Sequence, residues 1–395
     1  MEDKTKKRIR LKSAKIGMCL AETVRNKDGT ILIKKGMYLT SKTQIIQLLD
    51  EGIREIIIDL NKSLIDYMPS TKIKKVPEAV EEDPENIVIN LKKEIEIAED
   101  FYKSSEKAIE NLMSDVRMGR GLKTENVDST VKNVIESIRS NYQALLSMAS
   151  LKAFDEYTFA HSVNVMVIAL TLAKHLDLKE HELEAIGRGA LLHDIGKAKI
   201  PLDIINKPSK LTNKEFRLIK THPVEGRKIC LDEGMHNKII TDTISYHHES
   251  YDGSGYPHKL KGRQISKYAA IVSIADFYDA LTTVRSYKKR ISPPEAINII
   301  FNQANTKFDR RLVNHFIKTI GIYPVGSLVK LGSGRIAVIV GFARGNLIAP
   351  IVKIVIDENN SVSKEKKIID LSKSNDYIKK INPEIDFKIK FKDIL

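Results

Sequence analysis

Five of the ten histidines fall in four short motifs: His161 in Tyr-Thr-Phe-Ala-His-Ser, His193 with Asp194 in His-Asp-Ile-Gly-Lys, His222 in Thr-His-Pro, and the adjacent pair His247 and His248. Asp276, in Ile-Ala-Asp-Phe-Tyr-Asp, adds a second carboxylate. Imidazole and carboxylate together suit first-row divalent ions such as Fe, Mn, Zn or Ni. A single His in an apolar setting is most often a satisfied core residue. Polar groups on apolar faces are costly unless paired or metal-bound, however, and so many of them in one stretch call for a shared partner. The other histidines, His175, His181, His236, His258 and His315, stand among charged or loop residues and read as surface or structural. A general-base His without metal needs a nucleophile, and no Gly-x-Ser-x-Gly elbow supplies one.

The elements that must position these groups are helical. Residues 163–173 form an apolar helix with His161 at its polar start, 185–193 a second that ends in the His193-Asp194 pair, and 269–281 a third that holds Asp276. Upstream, Leu91, Ile95, Ala98, Tyr102, Ser105, Ile109, Leu112 and Val116 alternate steps of four and three, a heptad seam. After the break at 119–121 the spacing resumes at Val127, Val131, Val134, Ile138, Asn141, Leu145 and Met148. Such a seam suits a homodimer and an intramolecular hairpin packed on the next domain equally. Before it, residues 8–60 read as a small α/β unit: strands at 15–23, 30–33 and 55–58, an Asp28-Gly29 turn, and a helix at 41–50. After Tyr323-Pro324, β alternation takes over (Val329, Leu331; Ile336, Val338, Val340; 351–356). The expected organisation is an α/β input domain at 1–68, a linker at 69–85, heptad-patterned helices at 86–148, a helical catalytic domain at 149–321, and a small β domain with a charged tail at 322–395.

Hydrophobic residues make up 42% and charged residues 29% of the 395, the balance of a folded globular protein rather than a disordered, collagen-like or disulfide-stapled one. No apolar run approaches the ~20 residues needed to cross a bilayer, and the opening MEDKTKKRIR lacks the apolar stretch of a signal peptide, so a cytoplasmic location is expected. Cys19 and Cys230 lack metal-type spacing and read as buried small hydrophobes. Lys and Arg number 65 against 51 Asp and Glu, a net charge of +14 that favours anionic partners or, more blandly, marks a solvated lysine-rich surface. With 6% aromatics, no Trp and no basic run interleaved with stacking rings, no specific DNA or RNA partner is expected.

His193-Asp194-Ile-Gly-Lys197 resembles the signature of the HD superfamily of metal-dependent phosphohydrolases. The run His247-His248-Glu249-Ser-Tyr-Asp252-Gly253-Ser-Gly255-Tyr256-Pro257 resembles that of its HD-GYP branch, phosphodiesterases of cyclic di-GMP. Ala275-Asp276-Phe-Tyr-Asp279-Ala280-Leu-Thr and Arg285-Ser-Tyr287-Lys288 follow in the expected order. The likeness covers about 149–321; residues 11–59 are similar to the domain often placed before HD-GYP, and the final β module resembles a common extension of it. The fold so implied is multidomain, an all-α HD-type core between a small N-terminal α/β domain with a helical linker and a small C-terminal β domain. The resemblance implies metal ligands at His161, His193, Asp194, His222, His247, His248 and Asp276, with Asp194 bridging two divalent ions, Fe or Mn. It also implies catalytic roles for Asp194 and Lys197, the latter on phosphate, and substrate contacts by Gly255, Tyr256, Arg285 and Lys288.

One position departs from the pattern. Relatives with a third metal carry Glu four residues before the first His; here that residue is Tyr157, and Glu156 is rotated by about 100° on an ideal helix. A binuclear centre is therefore expected. Its chemistry is hydrolysis of cyclic di-GMP to linear pGpG, and onward to GMP if the second step survives, by a metal-bridging hydroxide attacking in line. Lys197 suits a phosphate or a helix C-terminus, Tyr256 a guanine, a ribose or a partner protein, and Arg285 with Lys288 a phosphate or solvent. Two other functions remain open: a phosphodiesterase of another cyclic dinucleotide, and a nucleotide-responsive module whose 255–257 loop binds a diguanylate cyclase (GGDEF) domain.

Overall fold

The computed structural model describes residues 5–15, 17–33, 35–37, 39, 42–60, 63, 84–122, 125–152, 160–283, 291–321, 323, 325–342, 349–359, 361–363 and 367–381. The chain divides into two compact units, one made by both ends of the chain (1–92 with 325–395) and one by residues 93–324.

In the first unit, strands β1 (Lys6–Arg10), β2 (Cys19–Leu20) and β5 (Glu55–Asp59) form an antiparallel sheet in the order β1-β5-β2, and β3 (Val24–Arg25) pairs with β4 (Ile31–Ile33). Helix α1 (Lys42–Asp50) contributes Ile45 and Leu48 to a core with Leu11, Leu20, Leu39, Ile56 and Ile58. The strand expected over 15–23 is cut to two residues, and β1 arises where none was expected. Four of its five residues are Lys or Arg. It holds an edge by its ladder to β5, Lys6 opposite Asp59 through Arg10 opposite Glu55, with mostly exposed side chains, so hydrophobic alternation carries no trace of it. The other sheet is β10-β6-β7-β8-β9, antiparallel throughout: β6 (Leu328–Leu331), β7 (Ile336–Phe342), β8 (Pro350–Ile356), β9 (Ile368–Asp370) and β10 (Ile378–Ile381). Alternation was expected there, but β8 is buried at every position and β7 at all but Phe342, as central strands covered on both faces are.

The second unit is helical. In α2 (Pro84–Arg117), the seam residues Ile95, Ala98, Tyr102, Ser105, Ile109, Leu112 and Val116 are all buried, as are Val127, Val131, Val134, Ile138 and Leu145 of α3 (Glu125–Lys152). Tyr102 Oη donates to the carbonyl of Leu145, 3.5 Å away. These seam residues are thus buried within one chain. Helix α3 packs in turn on α4 (Ala160–His175) and α5 (Glu180–Leu191). Helix α4 is buried from His161 through Ala173, all round rather than on one stripe, which makes it the central helix. Against α4 and α5 pack α9 (Lys238–Tyr246), α10 (Lys267–Thr282) and α12 (Arg310–Ile320), with α11 (Pro293–Asn302) beside α10 and α12. Between α5 and α9 run a 3-10 turn (Ile195–Lys199), α6 (Leu202–Ile205), α7 (Asn213–Ile219) and α8 (His222–Asp232). No helix among the described residues is long and apolar enough to cross a membrane. Both cysteines are free and buried, and burial pushes the Cys230 thiol up to about 12.

Leu145 is fully buried at the meeting of α2 and α3. Leu145→Ala is expected to lower unfolding stability by about 2–5 kcal/mol in urea titration, through lost transfer energy and the cavity left behind.

Candidate metal centre

Three of the histidines are oriented by main-chain carbonyls at helix ends. His193 stands just past α5, with Nδ1 2.7 Å from the carbonyl of Ala190. His222 opens α8, its Nδ1 2.7 Å from the carbonyl of Ile219, and His247 caps α9, its Nδ1 2.9 Å from that of Ile244. In each case the Nδ1–H donates to the main chain three residues back, which leaves the Nε2 of the neutral ring with a lone pair aimed away. His161, near the start of α4, is held by a side chain instead: Nδ1 lies 2.7 Å from Asp279 Oδ2, and Asp279 Oδ1 accepts from Asn164 Nδ2 at 2.9 Å.

These lone pairs converge on Asp194. Its Oδ1 is 3.2 Å from His222 Nε2 and 4.0 Å from His247 Nε2; its Oδ2 is 3.4 Å from His193 Nε2 and 3.9 Å from His161 Nε2. Asp276 faces His161 Nε2 at 3.2 Å and His248 Nδ1 at 3.9 Å. Two groups of potential ligands result, Asp194 with His222, His247 and His248, and His161 with His193 and Asp276, each with its donor atoms within 4.8 Å of one another. Asp194 turns one oxygen toward each group.

The donor set fits divalent cations on its own chemistry. His222 Nε2 and His247 Nε2 are 3.2 Å apart, lone pair against lone pair, with a carboxylate oxygen beside them. Burial and the rings of His248, His193 and His222 hold the His247 imidazole well below its usual range. His193 Nε2 is buried and has no hydrogen-bond partner among the described residues. Burial pushes His248 down to about 3, against the pull of Asp276. Burial opposes the charge on both carboxylates, yet Lys197 and His193 hold Asp194, and His161 holds Asp276, well below the carboxylate range. His161 alone goes the other way: burial pushes it down, but its hydrogen bonds to Asp276 and Asp279 outweigh burial and raise it to about 10. Neutral rings and ionised carboxylates are the states that bind metal, so a cation at His161 would displace the proton from its Nε2.

Around this cluster, Gly196 lets the 3-10 turn lie against α8. A Cβ there would stand 2.0 Å from the His222 carbonyl and 2.5 Å from the Gly226 amide, so only Gly lets this turn, between Asp194 and Lys197, lie so close to His222. Lys197 Nζ bonds to Asp194 Oδ2. Gly255 is buried, and a Cβ on it would meet the Ser250 amide at 2.3 Å, which presses the 253–257 loop onto the His247-His248 turn. Tyr256 stacks on the His248 ring, centroids 4.7 Å apart and planes at 28°. Burial first, then Asp194 and Asp276, raise its hydroxyl above the usual range. Arg285, Lys288, Tyr157 and Glu156 lie outside the described residues. Sequence reasoning gave no role to Asp279 or Glu249. Asp279 lies one helical turn beyond Asp276, spacing that puts both on one face. Buried Glu249 accepts from the amides of His258 (2.7 Å) and Leu260 (3.0 Å), clamping the far side of the loop.

A buried knot of imidazole and carboxylate on a helical core is the site of an HD-type metal-dependent phosphohydrolase. The family model described as HD domain matches residues 132–312, and one described as domain of unknown function (DUF3391) matches 6–127. The chain is 33% identical over 372 residues to the cyclic di-GMP phosphodiesterase PA4108 of Pseudomonas aeruginosa, covering 93% of this chain and 89% of that one. It is 35% identical over 162 residues to 3'3'-cGAMP-specific phosphodiesterase 1 of Vibrio cholerae, 41% of this chain and 37% of the other. Among solved structures, Bd1817, a HDG"Y"P protein of Bdellovibrio bacteriovorus, aligns with TM-score 0.45 at 18% identity over 79% of this chain and 98% of that one. The chain belongs to the HD-GYP family of phosphodiesterases.

Loss of the carboxylate behind His161 frees that ring to turn, and outer-shell partners of metal-bound His are worth about 10–100-fold in metal affinity. Asp279→Ala is expected to weaken metal retention by that factor in chelator competition, with helix content unchanged by circular dichroism. Glu249→Ala removes the acceptor of two loop amides, those of His258 and Leu260, and is expected to lower kcat/KM while metal content per chain stays at the wild-type value.

Proposed function

We propose that this chain is a cyclic di-GMP phosphodiesterase that opens the cyclic dinucleotide to linear pGpG at a binuclear centre. The observation that carries the reading is Asp194, one oxygen toward His222 and His247 and the other toward His193 and His161. Two divalent ions, Fe or Mn, held by His161, His193, Asp194, His222, His247, His248 and Asp276, would supply a nucleophile at neutral pH and neutralise charge on the phosphoryl oxygens. The residues do the rest. Main-chain carbonyls fix the ring orientations of His193, His222 and His247, and burial of the cluster excludes bulk water and strengthens every charge within it. Lys197, part-buried beside Asp194, is a cation within reach of a phosphate bound there and would stabilise its developing charge. Tyr256 and Gly255 shape the wall next to His248, and Arg285 with Lys288 are further phosphate contacts in this reading. With Tyr157 in place of the acidic residue, pGpG is the product expected to accumulate, and GMP follows only if the second step survives.

A second reading, hydrolysis of a mixed cyclic dinucleotide, is favoured by the relatives from Vibrio cholerae named 3'3'-cGAMP-specific phosphodiesterases. The test is anaerobically purified protein with its metals quantified, incubated with either dinucleotide and resolved by chromatography. Two metals per chain, with pGpG accumulating and turnover falling to background in His193→Ala plus Asp194→Ala, is the expected result. Three metals with rapid GMP formation overturns the binuclear centre, and cleavage of cGAMP alone moves the substrate to the second reading.

A further inference from the structure

A cyclic dinucleotide carries two phosphodiesters and two bases, whereas one metal cluster engages a single phosphodiester. The second phosphate, and the bases, must be met at the mouth of the site. On the wall formed by α7 and the turn before His222, Lys220 caps the helix C-terminus and holds Nζ 4.6 Å from the ring centroid of Phe216 and 5.2 Å from that of Tyr256. Tyr256 in turn stacks on His248, so a single ring separates this ammonium group from the metal ligands. Lys220 forms no ion pair with a carboxylate among the described residues, whereas Lys207 is bound to Glu215 of α7 at 2.7 Å. Phe216 is 46% exposed, a large apolar face left in water one helical turn before Lys220.

Resting on the reading above, we propose that Lys220 and Phe216 form a second recognition point for the substrate, Lys220 binding the phosphate that is not cleaved and Phe216 giving a face on which one base stacks. The chemistry is matched on each count. Cation and ring faces together suit an anion bearing a planar π system, and base stacking on an aromatic ring tolerates any base, as relatives acting on different dinucleotides require. Packed between two rings, Lys220 is pre-oriented, and a phosphate oxygen is a better partner for it than either ring.

The test compares cyclic di-GMP with bis(4-nitrophenyl) phosphate, a phosphodiester that has no second phosphate. Lys220→Gln is expected to raise KM for cyclic di-GMP about tenfold or more, with a much smaller loss in kcat/KM for the small diester, and Lys220→Arg to recover most of the affinity. Phe216→Ala is expected to raise the same KM, and Phe216→Tyr to restore it. Equal losses on both substrates mean that the pair only packs the turn before His222, and unchanged KM for cyclic di-GMP means that it faces solvent; either result overturns the proposal and leaves the phosphodiesterase reading standing. A wild-type protein that cleaves the small diester but neither cyclic dinucleotide overturns the substrate reading, and the proposal with it.

Discussion

Acceptors crowded without donors are the condition around which the catalytic unit is built. Two imidazole nitrogens 3.2 Å apart, each with its proton already committed elsewhere, and a carboxylate wedged beside them repel one another in a medium where water cannot screen them. Packing of the surrounding helices fixes these groups as a donor set that a divalent cation would suit. That is why α4 is buried on all sides and why α5, α8, α9 and α10 each deliver a ligand from a helix end or a packed face rather than from a long loop. His161 sits between Asp276, 3.2 Å from its Nε2, and Asp279, 2.7 Å from its Nδ1, so two carboxylates fix the one ring that no main-chain carbonyl orients.

Close main-chain approach is the second requirement. At Gly196 the turn following the His-Asp pair touches the first residue of α8, and at Gly255 the loop carrying Tyr256 touches the residues just after the paired histidines. Glu249 then binds the returning strand of that loop by two amides. Two contacts with no room for a β-carbon therefore tie the turn after Asp194 to α8 and the Tyr256 loop to the residues after His247 and His248, so the wall beside His248 is fixed by residues adjoining the candidate ligands.

Much of the site was legible because its residue types are expensive to bury and therefore rare: five histidines and two aspartates in apolar helices leave few readings. Their supports were less legible. Asp279 is one more acid on a helix until His161 is seen to lean on it, and Glu249 is one more loop acid until its carboxylate is found against two amides. In the fold, the heptad seam marked the buried positions of α2 and α3 correctly but not their partner, since the same spacing closes a hairpin and a dimer. Strand β1 escaped because backbone pairing sustains it while its lysines and arginines face solvent, and the continuous burial of β7 and β8 follows from what covers them, which a local pattern does not record. Tyr157, on which the expected metal number rests, falls outside the described residues.

The way the rings are anchored has an evolutionary side. For His193, His222 and His247 the acceptor is a peptide carbonyl supplied by Ala190, Ile219 and Ile244, and a carbonyl is present whatever side chain the codon specifies. Drift at those three positions leaves the aim of the ligands intact as long as the helix end survives. His161 has no such insurance, because its support is a particular carboxylate on another helix, more than a hundred residues along the chain. A lineage that is losing its catalytic chemistry can therefore shed the half of the centre around His161 by a single substitution while the half around His222 and His247 persists, so that decay of this site runs in a direction set by which ligands are tethered to the main chain.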